Sequence, residues 1–516
     1  MIRDLLRERP SPEYKPDVCI VGAGAAGIVL ALELARQGKR VMVLEGGGRD
    51  VEDAAQEPYR SEVVGHVHRG IHTGRFRVHG GTTTRWGGQI YELNAEDFER
   101  RDWVAGSGWP FSRTELEPFY ARALELEGLG AVMRDDAEVW RALGLKEPAF
   151  PGFESYLTRW CPEPNFARLH AKKLESSDSL QVWLHANAVE LQIEGDVVRG
   201  LQCCTQAGHE IMVQADEFVF CMGTIECVRF FLQPRDGGLP WNHSGLLGRH
   251  FQDHVDANAA RVRPRDRGRF AELFDNIFLR GYKYHPKLRL RPEEQQRARV
   301  LNCAATMNFA SDLDDALGAT KTTAKHLLRG RWREVRAADL LQSGRNAPLL
   351  ARQTLRYALK HRAYNPESAE IRLRVHCEQQ PDSASSITLA EERDSLGLLR
   401  ARLDWRISEL ELETIRTYAE TAAKSLGQVA EIVPDEALMQ GDQSFLSKCD
   451  DSNHHMGGMR MAAAASEGIV SPDLLLHGTR NVYVCSGAVF PTSGFSNPTH
   501  TVLALAIRLA DRLAKL

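Results

Sequence analysis

A glycine-rich turn near the start of the chain constrains the fold more than any other feature of the sequence. Residues 17–21 form a short apolar run typical of buried strands, and the letters GAGAAG at 22–27 follow directly. The segment 28–37 then has helical periodicity, and 40–44 is a second apolar run. Strand, turn, helix and strand in this order predict a βαβ unit. Its right-handed connection places the turn at the carboxyl end of the first strand, where doubly wound folds bind ligands.

Each glycine of the turn has a separate role in such a unit. Gly22 permits the tight turn, Gly24 lets the backbone approach a pyrophosphate, and Gly27 lets helix and strand pack closely. Glu45 ends the second strand, where its carboxylate can accept hydrogen bonds from ribose hydroxyls and would repel a 2′-phosphate. An ordinary glycine turn is the alternative, but the ordered elements favour a dinucleotide site. These residues alone do not distinguish FAD from NAD.

Composition excludes several other classes of protein. A length of 516 residues fits about three domains or two large ones. The 65 basic and 69 acidic residues give a net charge of −4, so no nucleic-acid partner is expected. No uncharged apolar stretch is long enough for a membrane span, and no signal peptide is recognisable. The ten cysteines include no Cys-x-x-Cys pair, which predicts a cytoplasmic location and no metal site.

Four ordered sequence blocks resemble the glucose-methanol-choline (GMC) oxidoreductase family, and are closest to its pyranose-oxidase-like branch. They are GGTTTRWGGQIYEL at 80–93 with the helix-like segment from Gly108, ADEFVFCMGTIECVRFFL at 215–232 with LLGRHFQDH at 246–254, HHMGGMRM at 454–461, and SGAVFPTSGFSNPTHTVLALAIRLAD at 486–511. The resemblance covers about half of the chain. It implies that the dinucleotide is FAD.

The resemblance also implies an α/β fold with two parts. One is a Rossmann-like FAD-binding domain, a parallel sheet with helices on both faces, and the other is an α+β substrate domain with an antiparallel sheet. We expect the first to comprise 1–100, 181–255 and 448–516, and the second 101–180 and 256–447 with a basic helical insert at about 315–365.

Residues that contact the cofactor are implied in each block. They are Gly22, Gly24, Ala25, Ala26, Gly27, Glu45, Gly46, Gly80, Gly81, Thr82, Trp86, Gly87, Gly88, Ala188, Val189, Gly223, Glu226, Ser486, Gly487, Asn497, Pro498 and Thr499. Some relatives attach the flavin covalently through a histidine just before the tryptophan of the first block. Arg85 stands there in this chain, so we expect non-covalent FAD, with His79 as the only nearby alternative attachment point.

Two catalytic residues are implied by the C-terminal blocks. His454 matches the family's catalytic histidine, six positions before Arg460, while His455 is its neighbour. Asn497, before Pro498, matches the family's second active-site residue, which is His or Asn. A neutral imidazole suits the role of general base, and the Asn amide can orient the substrate oxygen. The alternatives are a structural core histidine and, for Asn497, a helix N-cap.

The implied activity is oxidation of a hydroxyl of a sugar, polyol or glycosylated metabolite to a carbonyl by hydride transfer to flavin N5. The electron acceptor is O₂ or another molecule. An FAD-containing lyase of the same fold with a structural, non-redox flavin is the alternative. A nicotinamide-linked monooxygenase is disfavoured because a second glycine fingerprint is missing from the sequence.

The segment 321–362 is unusually basic. It holds eleven Lys or Arg residues against two acids, Glu334 and Asp339. One interpretation is a solvated helical face. The sharper hypothesis is a lid or docking surface for an acidic substrate, a carrier or a redox partner protein.

Overall fold

The computed structural model of the protein describes residues 1–10, 15–310 and 347–516. Residues 321–346, which make up most of the basic segment, lie outside the described residues, so the docking role of 321–362 stays a prediction. The helix Ala347–Lys360 at its end belongs to the described part of the chain.

A parallel sheet contains the predicted βαβ unit. Within the described residues it has six strands, in spatial order Ile2–Asp4, Leu180–Leu184, Val41–Leu44, Val18–Val21, Glu217–Phe220 and Val482–Val484. Val18–Val21 and Val41–Leu44 are buried along their whole length, as is typical of strands in parallel sheets. The helix between them, Ala25–Arg36, begins three residues earlier than predicted, because the small residues that open it give no amphipathic signal.

A larger sheet is antiparallel. Of the described residues, nine strands belong to it, in the order Ala430–Pro434, Val255–Pro264, Glu370–Cys377, Cys303–Ala310, Tyr282–Leu290, Phe153–Trp160 and Gln89–Ile90, with Ile277–Leu279 beside Tyr282–Leu290 and Cys449–Asp451 beside Val255–Pro264. The register sets Asp256 opposite His376, and His376 opposite Ala304. Paired residues of antiparallel strands point to the same face, so Asp256 and His376 lie side by side on one face of this sheet. Together the two sheets confirm the predicted fold class.

Two smaller sheets and the helices complete the described fold. The small sheets comprise Glu210–Val213, Val197–Cys204 and Asn187–Glu194, and Ser386–Arg393, Leu399–Asp404 and Glu62–Val63. The other helices are Asp53–Gln56, Gly70–Thr73, Ala95–Phe98, Glu117–Leu126, Asp136–Ala142, Phe166–Leu169, Ala171–Ser176, Thr224–Leu232, Arg267–Phe274, Pro292–Ala298, Glu409–Ser425, Glu436–Gln440 and Pro498–Leu513.

Buried apolar side chains from both large sheets form one continuous core, with Ile20 in the parallel sheet and Leu373 in the antiparallel sheet among its members. The helix Pro498–Leu513 packs on Ala25–Arg36 and begins at the proline predicted to open it. The domain boundaries given above stay a prediction. In the parts of the chain that the structure describes, we find no helix of the length and apolarity that a bilayer crossing requires.

Candidate functional site

One cavity of about 810 Å³ is lined both by the glycine-rich turn and by His454 and Asn497. Most of the predicted cofactor contacts line it: Gly22, Gly24, Ala25, Ala26, Glu45, Gly46, Gly81, Thr82, Trp86, Gly87, Gly88, Ala188, Gly223, Glu226, Ser486, Gly487, Asn497, Pro498 and Thr499. Three predicted residues, Gly27, Gly80 and Val189, do not reach its wall. The cavity thus joins residues that lie more than 400 positions apart in the sequence.

The three glycines of the turn have the geometry that their roles require. Gly22 has a φ of +104°, and a Cβ there would lie 2.7 Å from the carbonyl oxygen of Cys221. A Cβ on Gly27 would lie 1.9 Å from the carbonyl oxygen of Gly22, so only glycine lets the helix approach the strand. A Cβ on Gly24 would meet nothing within 4 Å. The protein therefore leaves the cavity side of Gly24 open for a ligand.

Glu45 links two backbone turns by hydrogen bonds at this end of the cavity. Its Oε2 accepts a hydrogen bond from the N–H of Ala23 and its Oε1 accepts one from the N–H of Gly47, both at 2.9 Å. Burial raises the pKa of Glu45, although these two hydrogen bonds oppose the shift. The side chain is 5% exposed and lines the cavity. It supports the backbone of the turn in addition to facing the predicted ribose position.

The residues around the cavity fit FAD. A Cβ on Gly81 would lie 2.9 Å from Cα of Gly24, so the two glycine-rich segments are in contact. Their backbone, without side chains, therefore faces the cavity. Volume, glycine lining and a buried acid at one end are typical of a dinucleotide site. Arg85 lies on the wall and its guanidinium is 5.9 Å from the ring of Phe76. His79 is buried away from the wall, and burial lowers its pKa to about 4. Non-covalent binding stays a prediction.

His454 and Asn497 meet at the other end. Nδ2 of Asn497 is 3.0 Å from Nε2 of His454. Asn497 occupies the N-cap position of the last helix, but its side chain makes no capping hydrogen bond. The alternative role as an N-cap is therefore not observed. Asn453, just before His454, has a φ of +60°, a conformation that Asn adopts more readily than most residues, and it turns the chain into the site.

Four polar residues near His454 were missed by the sequence reasoning: Asp253, His254, Asp256 and His376. Nδ1 of His254 is 2.9 Å from Nδ1 of His454, and Nδ1 of His376 is 2.5 Å from Oδ1 of Asp256. Asp253 and His254 lie within the block LLGRHFQDH, which resembles the segment in which the family's chain returns to the FAD domain. No chemical role was predicted for either residue. Asp256 and His376 gave no sequence signal, because only the register of the antiparallel sheet brings them together.

The electrostatics of the site favour a neutral imidazole. Burial, together with His376, lowers the pKa of His454 to about 3, and the ammonium of Lys287 acts in the same direction. Burial alone would raise the pKa of Asp256, but His376 and Arg374 hold it well below its usual range. Burial lowers the pKa of Lys287 to about 8. His454 is therefore unprotonated at cellular pH and available as a base.

Two side-chain clusters have the spacing of possible metal ligands. His254, His376 and His454 form one, and His68, Asp253 and His455 form the other, each with its ligand atoms within 4.8 Å of one another. One pair in each cluster lies at hydrogen-bonding distance: Nδ1 of His254 is 2.9 Å from Nδ1 of His454, and Nε2 of His68 is 3.1 Å from Oδ2 of Asp253. Hydrogen bonding accounts for the arrangement of these two pairs.

Three other residues singled out in the sequence have partners of their own in the structure. Arg460 donates a hydrogen bond to the carbonyl of Gly106 at 2.7 Å. His500 pairs with Glu127 at 2.9 Å and does not line the cavity. Glu226 is on the wall, and its carboxylate is held by Arg229 at 2.7 Å. These residues shape the surroundings of the cavity.

Further wall residues were not predicted. They are Val21, Leu44, Tyr59, Thr73, Gly74, Arg75, Phe76, Arg77, Thr83, Arg85, Gln89, Trp160, Ala186, Asn187, Cys221, Met222, Thr224, Ile225, Arg229, Leu396, Ser452, Asn453, His455, Cys485 and Val502. Many flank a predicted residue by one or two positions, so a wider window around each motif would have found them.

Comparison with known families agrees with this geometry. A family model described as FAD dependent oxidoreductase matches residues 17–306, more than half of the chain. The chain therefore belongs to the FAD-dependent oxidoreductases and uses FAD. A second model, described as GMC oxidoreductase, matches residues 381–506 and confirms the predicted resemblance to the GMC oxidoreductase family. The protein is an enzyme of the alcohol oxidase and dehydrogenase type.

Individual relatives are more distant. Paromamine 6′-oxidase of Streptomyces fradiae is 22% identical over 96% of this chain and 91% of its own length. An oxygen-dependent choline dehydrogenase of Rhizobium etli is 32% identical, but over only 20% of this chain and 22% of its own. The crystal structure of pyridoxine 4-oxidase from Mesorbium loti superposes with a TM-score of 0.59 at 16% identity, covering 96% of this chain and 98% of that one. This structural likeness shows the fold.

Proposed function

We propose that this protein oxidises a hydroxyl group of a sugar, polyol or glycosylated metabolite to a carbonyl. The observation that carries the proposal is the pair His454 and Asn497, 3.0 Å apart, at the opposite end of the cavity from the glycine-rich turn. Bound FAD supplies the hydride acceptor, N5 of its ring. The protein itself must remove the hydroxyl proton and hold the oxygen in place.

His454 and Asn497 divide these two tasks. An amide N–H can only donate, so Nε2 of His454 accepts the hydrogen bond from Asn497 and carries a lone pair. A substrate hydroxyl entering between them would donate its proton to that Nε2 and accept a hydrogen bond from Nδ2 of Asn497. The imidazole acts as general base, and the amide stabilises the oxygen as it becomes alkoxide-like.

The face of the antiparallel sheet near His454 favours a hydroxylated substrate. Arg374 lies opposite Thr306, and Oγ1 of Thr306 is 2.8 Å from Nε2 of His285. Lys287 lies close enough for its charge to act on His454. These side chains supply several hydrogen-bonding groups, which suits a polyol. Paromamine 6′-oxidase aligns over nearly the whole chain. Two relatives that align over shorter segments are a choline dehydrogenase and a glucose dehydrogenase.

The decisive experiment is an anaerobic screen of alcohols, sugars, sugar acids and amino sugars, read as loss of the flavin absorbance band. At least one polyhydroxylated compound is expected to reduce the flavin, with the matching carbonyl formed in equal amount. If none of them bleaches the flavin although FAD is bound, the proposed function is wrong. Mixing the reduced enzyme with O₂ or with a quinone then identifies the acceptor by the rate of reoxidation.

A further inference from the structure

Two chain segments cross beside the catalytic histidine and bring a second imidazole to it. Gln252 and Met456 exchange both backbone hydrogen bonds, each at 2.8 Å, so the two segments run antiparallel. This pairing sets His254 against His454, with 2.9 Å between their Nδ1 atoms and 5.0 Å between ring centroids. His254 is fully buried, whereas His454 is only half-buried and lines the cavity.

The hydrogen bonds fix where each proton lies. Because Nε2 of His454 accepts from Asn497, the single proton of the neutral ring is on Nδ1. That Nδ1–H then donates to Nδ1 of His254, whose own proton must be on Nε2. Burial lowers the pKa of His254 well below its usual value, which keeps this ring neutral and able to accept. The tautomer of His454 is therefore set by Asn497 and His254 together.

Asp253 anchors the backbone of both histidines. Its Oδ1 accepts the N–H of His254 at 2.7 Å and the N–H of His454 at 2.9 Å, although these residues are 200 positions apart. Its Oδ2 accepts from Nε2 of His68 at 3.1 Å, and Nδ1 of His68 accepts the N–H of Ile71, which fixes the His68 proton on Nε2. One fully buried carboxylate thus holds the two imidazoles at a set distance.

We propose that His254 is a positioning residue for the reaction: by accepting the Nδ1–H of His454 it directs the Nε2 lone pair of the base into the cavity. This inference rests on the proposed function. When the substrate O–H bond breaks and an N–H bond forms at Nε2, His454 becomes a cation. Its Nδ1–H···Nδ1 hydrogen bond to the neutral His254 then becomes charge-assisted and stabilises that cation as it forms.

His376 and Asp256 do not replace this interaction. Nδ1 of His376 is already bound to Oδ1 of Asp256, and Asp256 also accepts from Arg374 at 2.9 Å. Within the described residues, the ring nitrogens of His454 have two hydrogen-bond partners: Asn497, which donates to Nε2, and His254, which accepts from Nδ1. Loss of His254 would leave Nδ1 of His454 without an acceptor, so the other tautomer would become competitive.

The test compares two substitutions of His254 by the limiting rate of anaerobic flavin reduction at saturating substrate. His254→Leu removes the acceptor and should lower that rate on the order of 10- to 100-fold, as the loss of a residue that orients a functional imidazole does. His254→Asn keeps an acceptor, because Oδ1 of Asn and Nδ1 of His are both bonded to Cγ. It should recover most of the rate. The substrate dissociation constant should stay unchanged in both variants.

Controls separate this role from a structural one. His250→Asn makes the same change in the same segment, away from His454, and should reduce its flavin at the wild-type rate. Should His254→Leu fail to retain FAD, His254→Ala replaces it in the comparison with His254→Asn. The inference is overturned if the variants without an acceptor react at the wild-type rate, or if His254→Asn loses as much as they do. Failure of wild-type flavin to be reduced by any alcohol would instead overturn the proposed function.

Discussion

The two ends of the cavity are built in different ways. At the cofactor end, backbone geometry dominates, since Gly22, Gly24 and Gly27 and the acid Glu45 all lie within one βαβ unit. At the catalytic end, side chains dominate, and they come from segments around 254, 454 and 497 that adjoin only after the chain has folded. The glycine-rich turn that approaches the dinucleotide is therefore specified locally, whereas the catalytic residues are brought together by long-range contacts.

The largest effect is expected at the cofactor end. Gly27→Ala places a Cβ 1.9 Å from the carbonyl oxygen of Gly22, an overpacking that costs more than about 3 kcal/mol because backbone must move. We expect no folded, FAD-containing protein, measured by flavin absorbance and the thermal unfolding midpoint.

Gly24→Ala is the matched contrast, since its Cβ would meet no protein atom within 4 Å. It should fold normally and bind FAD more weakly, because the methyl group occupies space left for the ligand. Equal behaviour of the two variants would contradict the distinction between packing and ligand approach.

At the catalytic end, the His454→Ala variant should still bind FAD, but substrate should reduce the bound flavin much more slowly. Removing a general base costs about 100- to 10,000-fold, so the limiting rate of flavin reduction should fall by that factor. The exposed His209, outside the cavity, provides a control: His209→Ala should match the wild type. Near-normal flavin reduction in His454→Ala would show that another residue is the base.

The Asn497→Ala variant should lose less of the flavin-reduction rate than His454→Ala. A hydrogen bond to a charged group contributes about 1.5–3 kcal/mol, which corresponds to a rate loss of roughly 10- to 100-fold. Asn497→His keeps a donor at this position and should recover part of the rate. If Asn497→Ala instead reduced thermal stability without slowing flavin reduction, the residue would be a structural cap after all.

The smallest effect concerns pH. The ammonium of Lys287 lowers the pKa of His454, so Lys287→Met should raise that pKa. Because the base must be unprotonated, the acidic fall in flavin reduction should then begin at a higher pH than in the wild type. The rate at the lowest pH that retains FAD should drop by less than about tenfold, since one pKa unit corresponds to tenfold in protonation. The rate near pH 8 should be unchanged.

Lys283→Met is the control for this experiment. Lys283 lies on the same strand with its ammonium 3.5 Å from the centre of the Trp160 ring, and it does not contribute to the pKa shift of His454. Its pH profile should follow the wild type. An identical shift in both lysine variants would indicate a general loss of positive charge.

Much of the fold and of the cofactor site can be predicted from the amino-acid sequence. Apolar strands around a glycine-rich turn specify a βαβ unit through local backbone requirements, so the strand positions, the roles of Gly22 and Gly27, and a dinucleotide ligand follow from about thirty residues. The assignment of FAD needed the later sequence blocks. The matches at His454 and Asn497 were also visible, because each stands in a recognisable block.

The contacts that hold those residues in place depend on the tertiary structure. Asp256 faces His376 because two strands of the antiparallel sheet pair in one register, and a shift by one residue would turn both side chains to the other face. Asp253 and His254 reach His454 because Gln252 and Met456 pair across the site. Such contacts join positions separated by more than 100 residues, and the free energy that selects them comes from burying the whole core, which no local pattern records.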